Sequence, residues 1–198
     1  METIGFLLIL KILLTGYVAI LVPVYWKNYG PQNFLWLSDI GLFLTLLALW
    51  FKSPLLISMA SIGIFPVEII WIIDFFVRLS IKRRLLGITD YMFESDKKPF
   101  LKSLSLFHVF VPVLMIGLLY KWGYDSDAFF CQVVLTWIVF ILTYFLTDPK
   151  DNINWIYLPN VQHWKNITSL IWLVFLLFGF PIFIICPFHE LFRYLFQP

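Results

Sequence analysis

Charged residues are scarce in this chain. Only 13% of the 198 residues are Asp, Glu, Lys or Arg, while 61% are hydrophobic. Soluble domains carry about 25% charged residues, so this composition cannot cover the surface of a water-soluble particle. The formal net charge is only +2, which provides no large basic face, and we therefore expect no nucleic-acid partner.

Cysteine, histidine and the common catalytic motifs are also rare. Cys131 and Cys186 lie inside apolar runs, where a free cysteine behaves as a small buried hydrophobe. They indicate neither a disulfide framework nor a cysteine-based metal site. The chain has no H-E-x-x-H motif, phosphate loop or G-x-S-x-G elbow, and only three histidines. We therefore predict no metal and no cofactor, although one histidine with two carboxylates would suit a hard metal ion.

Long apolar segments dominate the sequence. A membrane-spanning helix needs about 20 mostly apolar residues, and six segments are candidates: about 4–26, 34–51, 54–79, 103–120, 129–146 and 167–186. Helices satisfy their own backbone groups in hydrocarbon. The sequence predicts an all-α, polytopic membrane protein, a single domain over residues 1–198 built as a bundle of six transmembrane helices. The first segment lacks a basic leader and a cleavage site, so we expect it to be retained.

The basic residues indicate an orientation. Most of them lie in the first, third and fifth connections: Lys27, Lys82, Arg83, Arg84, Lys97, Lys98, Lys102, Lys150 and Lys165. Cytoplasmic loops of membrane proteins are enriched in Lys and Arg. The pattern therefore predicts that these three connections are cytoplasmic and that both termini lie outside.

Ionisable residues within the apolar segments are the candidate functional groups, because such residues are costly in a membrane. Asp39, Asp74 and His108 each lie five residues from the predicted cytoplasmic end of a helix, which places them about 7–8 Å below the boundary. Arg78 follows Asp74 by four residues and shares its helix face. A structural interpretation stays open: these side chains could snorkel, form a plain Asp74–Arg78 pair, or support local packing.

Glu68 is predicted to lie deeper. It precedes the cytoplasmic end of its helix by eleven residues, about 16 Å, and Pro66 should kink the helix beside it. A carboxylate near the membrane midplane is typical of a proton-carrying or ion-carrying group. The alternatives are a protonated acid bonded to a neighbouring helix or a pair with Lys11. His189 follows the sixth segment and is expected on the opposite side.

The fifth connection is long and rich in aromatic and amide residues. Residues 149–155 repeat the order Pro, Asn, Trp that is found in residues 31–36. Proline favours a turn, asparagine a helix cap, and tryptophan the headgroup region. We expect Asn152, Asn154 and Trp155 to line the mouth of a site and to bind substrate.

Three segments carry a resemblance. Residues 33–39, 103–109 and 152–155 (Asn-Phe-Leu-Trp-Leu-Ser-Asp, Ser-Leu-Ser-Leu-Phe-His-Val and Asn-Ile-Asn-Trp) resemble a bacterial family of small, uncharacterised multi-pass membrane proteins. This resemblance implies one domain in a bacterial inner membrane and no particular activity. A much weaker likeness is to six-helix androgen-inducible-type lipid hydrolases and acyltransferases. It implies a nucleophile and a histidine inside the bundle, here Thr143 and His108.

Three functional hypotheses follow. The first is an enzyme that acts on a lipid or lipid-linked substrate at the cytoplasmic leaflet. In it, His108 would act as general acid or base oriented by Asp39 or Asp74, and Arg78 with the basic third connection would hold an anionic head. The second is a proton-coupled or cation-coupled transporter or channel that uses Glu68. The third is a structural membrane subunit. Membrane lipids are the expected partners, and the oligomeric state stays open.

Overall fold

The computed structural model describes residues 2–158 and 167–197, and this part of the chain contains helices and no strand. In chain order the helices are α1 (Glu2–Tyr29), α2 (Leu37–Phe51), α3 (Pro54–Gly63), α4 (Phe65–Ile81), α5 (Pro99–Leu104), α6 (Phe107–Trp122), α7 (Ala128–Leu146), α8 (Ile167–Phe180) and α9 (Cys186–Phe196). Short 3-10 turns cover Pro31–Leu35, Asp90–Met92 and Ile153–Trp155, and a π-helical turn, Pro181–Ile185, joins α8 to α9. The all-α prediction is confirmed.

Within the described residues, four helical segments are long and apolar enough to cross a membrane: Gly5–Tyr29, Pro99–Trp122, Ala128–Leu146 and Ile167–Phe196. Helices α3 and α4 reach that length only together, with a bend of 48° between them, and would make a fifth span. These helices support a multi-pass membrane protein. The count of six is not confirmed, because α2 has only 15 residues, about 22 Å against a hydrocarbon core of about 30 Å.

The third predicted segment is interrupted just before Glu68. Ile64 separates α3 from α4 and still donates its N–H to the Ala60 carbonyl. Pro66 lies in the first turn of α4, where a missing N–H leaves no helical hydrogen bond unmade. The break therefore precedes the proline that was expected to kink the helix. Glu68 lies in the first turn of the new helix rather than in the middle of a longer one.

Close packing inside the bundle depends on small and polar residues. A Cβ atom added to Gly41 would come within 2.5 Å of Ile64, and one added to Gly63 within 2.1 Å of the Gln132 amide. Thr45 and Ser61 are fully buried, and their hydroxyl groups donate hydrogen bonds to backbone carbonyls one turn earlier in their own helices. Small residues allow membrane helices to approach each other in this way, because lipid gives no hydrophobic drive for their association.

Candidate functional site

A cavity of about 540 Å³ lies at one end of the bundle. Its wall combines residues of the first, third and fifth connections with residues of α1, α2, α4, α6, α7 and α8. Three of the ionisable residues expected to be functional, Asp39, Glu68 and His108, line this cavity. The structure thus brings together three side chains that lie far apart in the sequence.

His108 and Glu68 form the central contact of the cavity. Nδ1 of His108 lies 2.5 Å from Oε2 of Glu68, and the Glu68 residue is fully buried. The imidazole also stacks between Trp71 and Phe107, with ring centroids 4.4 and 4.2 Å away. A hydrogen bond at one ring nitrogen fixes the tautomer and the ring orientation, so the second nitrogen, Nε2, has a defined role as donor or acceptor.

The contact between Glu68 and His108 shows that the depths predicted for these two residues were wrong. Glu68 was placed about 8 Å deeper than His108, whereas the two side chains touch. The reason is that the helical segment containing His108 begins at Pro99, so His108 lies about 14 Å along it. The proposed pair between Glu68 and Lys11 is likewise wrong, since Lys11 lies over the Trp50 ring, 5.2 Å from its centroid.

Asp39 enters the cavity from the first turn of α2. Its side chain is nearly fully buried, and its Oδ2 accepts a hydrogen bond of 3.2 Å from Asn33. A carboxylate suits the first turn of a helix, where the unpaired N–H groups carry partial positive charge. Its Oδ1 atom, like Oε1 of Glu68, has no hydrogen-bond partner among the described residues. Two residues of the cavity wall therefore each have one buried carboxylate oxygen without a described partner.

Asp74 does not join this group. Its carboxylate accepts four hydrogen bonds from residues 86–89, at 2.7, 3.2, 2.9 and 2.6 Å, including one from the Thr89 hydroxyl. The expectation that Asp74 orients His108 is wrong, because Glu68 holds that ring. Asp74 instead ties the third connection to α4.

Arg78 is also engaged elsewhere. It forms an ion pair with Asp90 and lies 4.8 Å from the Phe93 ring centroid. Arg84 contacts the same carboxylate at 3.0 Å. The predicted Asp74–Arg78 pair and the use of Arg78 to hold an anionic headgroup are therefore not supported. Lys97 is the one Lys or Arg among the described residues that line the cavity.

Of the two amide residues expected at the mouth of the site, Asn154 is among the described residues that line the cavity and Asn152 is not. The Asn154 side chain accepts from Leu37 N at 3.0 Å and donates to Leu35 O at 2.8 Å, so it pairs with the backbone where α2 begins. Asn152 makes the same two-bond pattern with the backbone of Tyr157. Both amides are occupied, which argues against direct substrate binding through them.

Trp155 keeps a place in the cavity wall. Its indole packs edge-on against Trp36 at 6.2 Å, so the two tryptophans of the similar Pro–Asn–Trp segments meet. Asn152, Asn154 and Trp155 all have positive φ angles, of 38°, 55° and 49°. Asparagine tolerates this conformation better than most residues because its short side chain bonds locally, which explains the two asparagines in this turn.

Several tyrosines of the cavity were missed by the sequence analysis. The Tyr25 hydroxyl lies 2.9 Å from Ser105 Oγ, and Tyr91 accepts a hydrogen bond of 3.2 Å from Trp71 Nε1. Burial raises the pKa of the Tyr91 hydroxyl well above its ordinary value, so it stays neutral. No sequence signal distinguished these rings, since aromatic residues are common at any membrane boundary.

Two residues considered earlier lie apart from the cavity. Thr143, the nucleophile implied by the weaker resemblance, is fully buried in α7 but is not among the described residues that line the cavity. His189 lies in α9, with its Nδ1 atom 2.6 Å from the Tyr124 hydroxyl. The third histidine, His163, falls outside the described residues.

The described geometry suits proton transfer and the binding of hydrogen-bond donors. A buried carboxylate orients an imidazole, and the two unpaired carboxylate oxygens belong to residues that line the same cavity. Within residues 2–158 and 167–197 no group of three or more His, Cys, Asp or Glu side chains is arranged to hold a metal ion. Comparison of the chain with protein-family models, with curated proteins and with solved structures gives no match.

Proposed function

We propose that this protein is a membrane-embedded enzyme in which His108 acts as general base and acid on a lipid or lipid-linked substrate. The observation that carries the proposal is the 2.5 Å contact between His108 Nδ1 and Glu68 Oε2 in the wall of a 540 Å³ cavity. A carboxylate that fixes one imidazole nitrogen leaves the other to exchange a proton with a reacting group. Glu68 replaces both Asp39 and Asp74 as the residue that orients the ring.

The nucleophile in this mechanism is water or a hydroxyl of the substrate. Nε2 of His108 removes the proton from that oxygen as the oxygen bonds to an acyl or phosphoryl centre. The same proton then passes from Nε2 to the leaving oxygen, so the reaction is a hydrolysis or a group transfer. Ser105 is a poor nucleophile for His108 because its hydroxyl pairs with Tyr25.

The substrate enters from the cytoplasmic leaflet in this proposal. The first, third and fifth connections all contribute to the cavity wall, as expected if six segments cross the membrane alternately. In that arrangement α2 crosses as a short helix and α3 with α4 as one bent span. The basic residues of these connections favour a cytoplasmic position. A bacterial inner membrane follows only from the resemblance described above.

The experiment compares three single variants of the full chain. His108→Asn keeps an amide donor near the position of Nδ1 and so preserves the contact with Glu68, but it has no group that transfers a proton. Glu68→Gln keeps the size of the side chain and removes its charge. His189→Gln is the matched control, because His189 lies in α9 and outside the described cavity wall.

The measurement is the time-dependent change in lipid composition, by mass spectrometry, of nanodiscs made from a total bacterial lipid extract. We expect the unmodified protein and His189→Gln to convert one lipid class. His108→Asn should lose about 10²–10⁴-fold of the rate, as expected for a general acid–base group. If His108→Asn is folded and turns over lipid at the normal rate, the enzyme proposal is wrong.

A second function is favoured by one specific feature, the break in the third span next to Glu68. Secondary transporters often bind substrates or ions at interrupted helices. A proton-coupled transporter would use Glu68 as the proton carrier. It predicts that Glu68→Gln abolishes pH-gradient-driven uptake into proteoliposomes while lipid composition never changes; a lipid product made by the unmodified protein would count against it.

A further inference from the structure

The acidic wall of the cavity has one Lys or Arg among its described residues, Lys97, and this residue pairs with Glu94. Asp39 and Glu68 are buried there, and the only imidazole among the described lining residues, His108, is bonded to Glu68. The Nζ atom of Lys97 lies 3.1 Å from Oε2 of Glu94 and 5.2 Å from the centroid of the Tyr91 ring. Once His108 and Glu68 are counted as one pair, no described residue of the wall provides a cation for Asp39. A carboxylate in a low-dielectric site is costly unless a positive group or several donors accompany it.

The unpaired carboxylate oxygens of the wall can only accept hydrogen bonds, so they suit a ligand that donates them. Oδ1 of Asp39 and Oε1 of Glu68 have no partner among the described residues, although Asp39 is only 3% exposed and Glu68 0%. A phosphate or a carboxylate would bring further acceptors and a repelling charge. Arg78 and Arg84, which could have offset such an anion, are paired with Asp90. The chemistry of the wall is therefore the reverse of what the basic third connection predicted.

The aromatic residues of the wall also favour a cation. Tyr25 meets Tyr29 edge-on at 5.3 Å, and both tyrosines line the cavity. Trp71 also lines it, but its ring stacks on Phe75 at 5.1 Å and on His108 at 4.4 Å, so the tyrosine rings are the ones that suit a cation. The face of an aromatic ring attracts an ammonium group within about 6 Å, and the attraction is stronger where water is excluded.

From this combination we infer that the cavity binds a primary ammonium group, carried by a lipid headgroup or by a soluble amine. A primary ammonium has three N–H donors, enough for both unpaired carboxylate oxygens, whereas a quaternary ammonium has none. The inference names the substrate class of the proposed enzyme and rests on the same cavity. The volume of about 540 Å³ lies within the range of small-molecule sites and accommodates a headgroup.

The test measures binding rather than turnover. Purified protein in a nonionic detergent is titrated with phosphatidylethanolamine, phosphatidylcholine and phosphatidylglycerol of identical acyl chains, and retained lipid is counted by native mass spectrometry. Free ethanolamine forms a separate arm. We expect phosphatidylethanolamine to bind about 10- to 100-fold more tightly than phosphatidylcholine, the factor typical of hydrogen bonds to a charged group.

Two variants locate the effect. Asp39→Asn should reduce the preference for the primary amine at least about tenfold and leave phosphatidylcholine binding unchanged. Asp127→Asn is the matched control, because Asp127 is an exposed carboxylate outside the described cavity wall. Competition by free ethanolamine at an affinity equal to that of the lipid would identify a soluble amine as the ligand. Weaker competition would identify the lipid headgroup.

Three results would overturn the inference: equal binding of the three lipids, tighter binding of phosphatidylglycerol, or an unchanged preference in Asp39→Asn. The proposed function fails separately, because it predicts loss of turnover in His108→Asn whichever lipid binds best. If His108→Asn abolishes turnover and no amine preference exists, the enzyme stands and the substrate class is wrong. If the preference exists without turnover, the cavity binds amines but is not catalytic.

Discussion

Removing His108 should destabilise the protein strongly, and a second substitution at Glu68 should restore part of the loss. The Glu68 carboxylate is fully buried, and His108 Nδ1 is its partner at 2.5 Å. Truncation of one member of a buried pair leaves the other charge uncompensated and costs about 3–5 kcal/mol. His108→Ala also removes the stacking contacts with Trp71 and Phe107, which contribute about 0.5–1.5 kcal/mol each.

The double variant separates these two contributions. Adding Glu68→Gln to His108→Ala removes the uncompensated charge and leaves a buried neutral amide, which costs about 1–3 kcal/mol if it finds no partner. The difference between the two costs predicts that the double variant is more stable than His108→Ala by about 2 kcal/mol. The lost stacking is common to both proteins and cancels in the comparison.

The assay is equilibrium unfolding in mixed micelles of increasing sodium dodecyl sulfate content, followed by tryptophan fluorescence. Asp127→Asn, an exposed change far from any buried pair, should stay within about 0.5 kcal/mol of the unmodified protein. A double variant as unstable as His108→Ala, or less stable, would show that Glu68 carries no uncompensated charge after His108 is removed. The contact between Glu68 and His108 would then not be an ionic pair.

Three further predictions concern the surroundings of the cavity. Asn154→Ala removes two hydrogen bonds to the backbone at the start of α2 and should lower the free energy of unfolding by about 1–3 kcal/mol in the same assay. Asn154→Gln, whose amide is displaced by one methylene, should be destabilised as well; full stability of this variant would contradict the assigned role of the short side chain. Asp74→Ala removes four bonds, so amide hydrogen exchange at 86–89 should accelerate at least about tenfold by mass spectrometry; unchanged exchange would contradict the assigned support role. Gly63→Ala puts a Cβ within 2.1 Å of the Gln132 amide and should lower stability by about 1–3 kcal/mol, and the thermal midpoint should recover when Gln132→Ala is added.

Much of the fold was predictable because it depends on local properties of the chain. A run of apolar residues long enough to cross hydrocarbon must form a helix to satisfy its backbone, and each apolar segment predicted from the sequence is mostly helical in its described part. The break at Ile64 was placed only approximately. Proline marks a region where a helix cannot continue normally, but the actual break depends on how α3 and α4 pack against the rest of the bundle.

The candidate site was predicted less completely, and the geometry of α4 shows why. Glu68 and Trp71 are three residues apart and both line the cavity. Asp74 is six residues from Glu68, which turns it about 120° away around the helix axis, and its carboxylate bonds to residues 86–89. The depth of a residue along a helix can be counted from the sequence. The helix face that packs against a neighbouring helix cannot be predicted in this way, because packing sets the rotation of the helix about its axis.

By itself the sequence determined that the chain is helical, that it contains segments apolar enough to cross a membrane, and that its few ionisable residues are the exceptions to explain. These conclusions follow from composition and segment length, which every conformation of the chain shares. Only the tertiary structure decided that His108 meets Glu68, that Asp39 joins them, and that Arg78 is occupied by Asp90. Such pairings join residues far apart in the chain, and they depend on helix rotation, on the bend at Ile64 and on the paths of the connections.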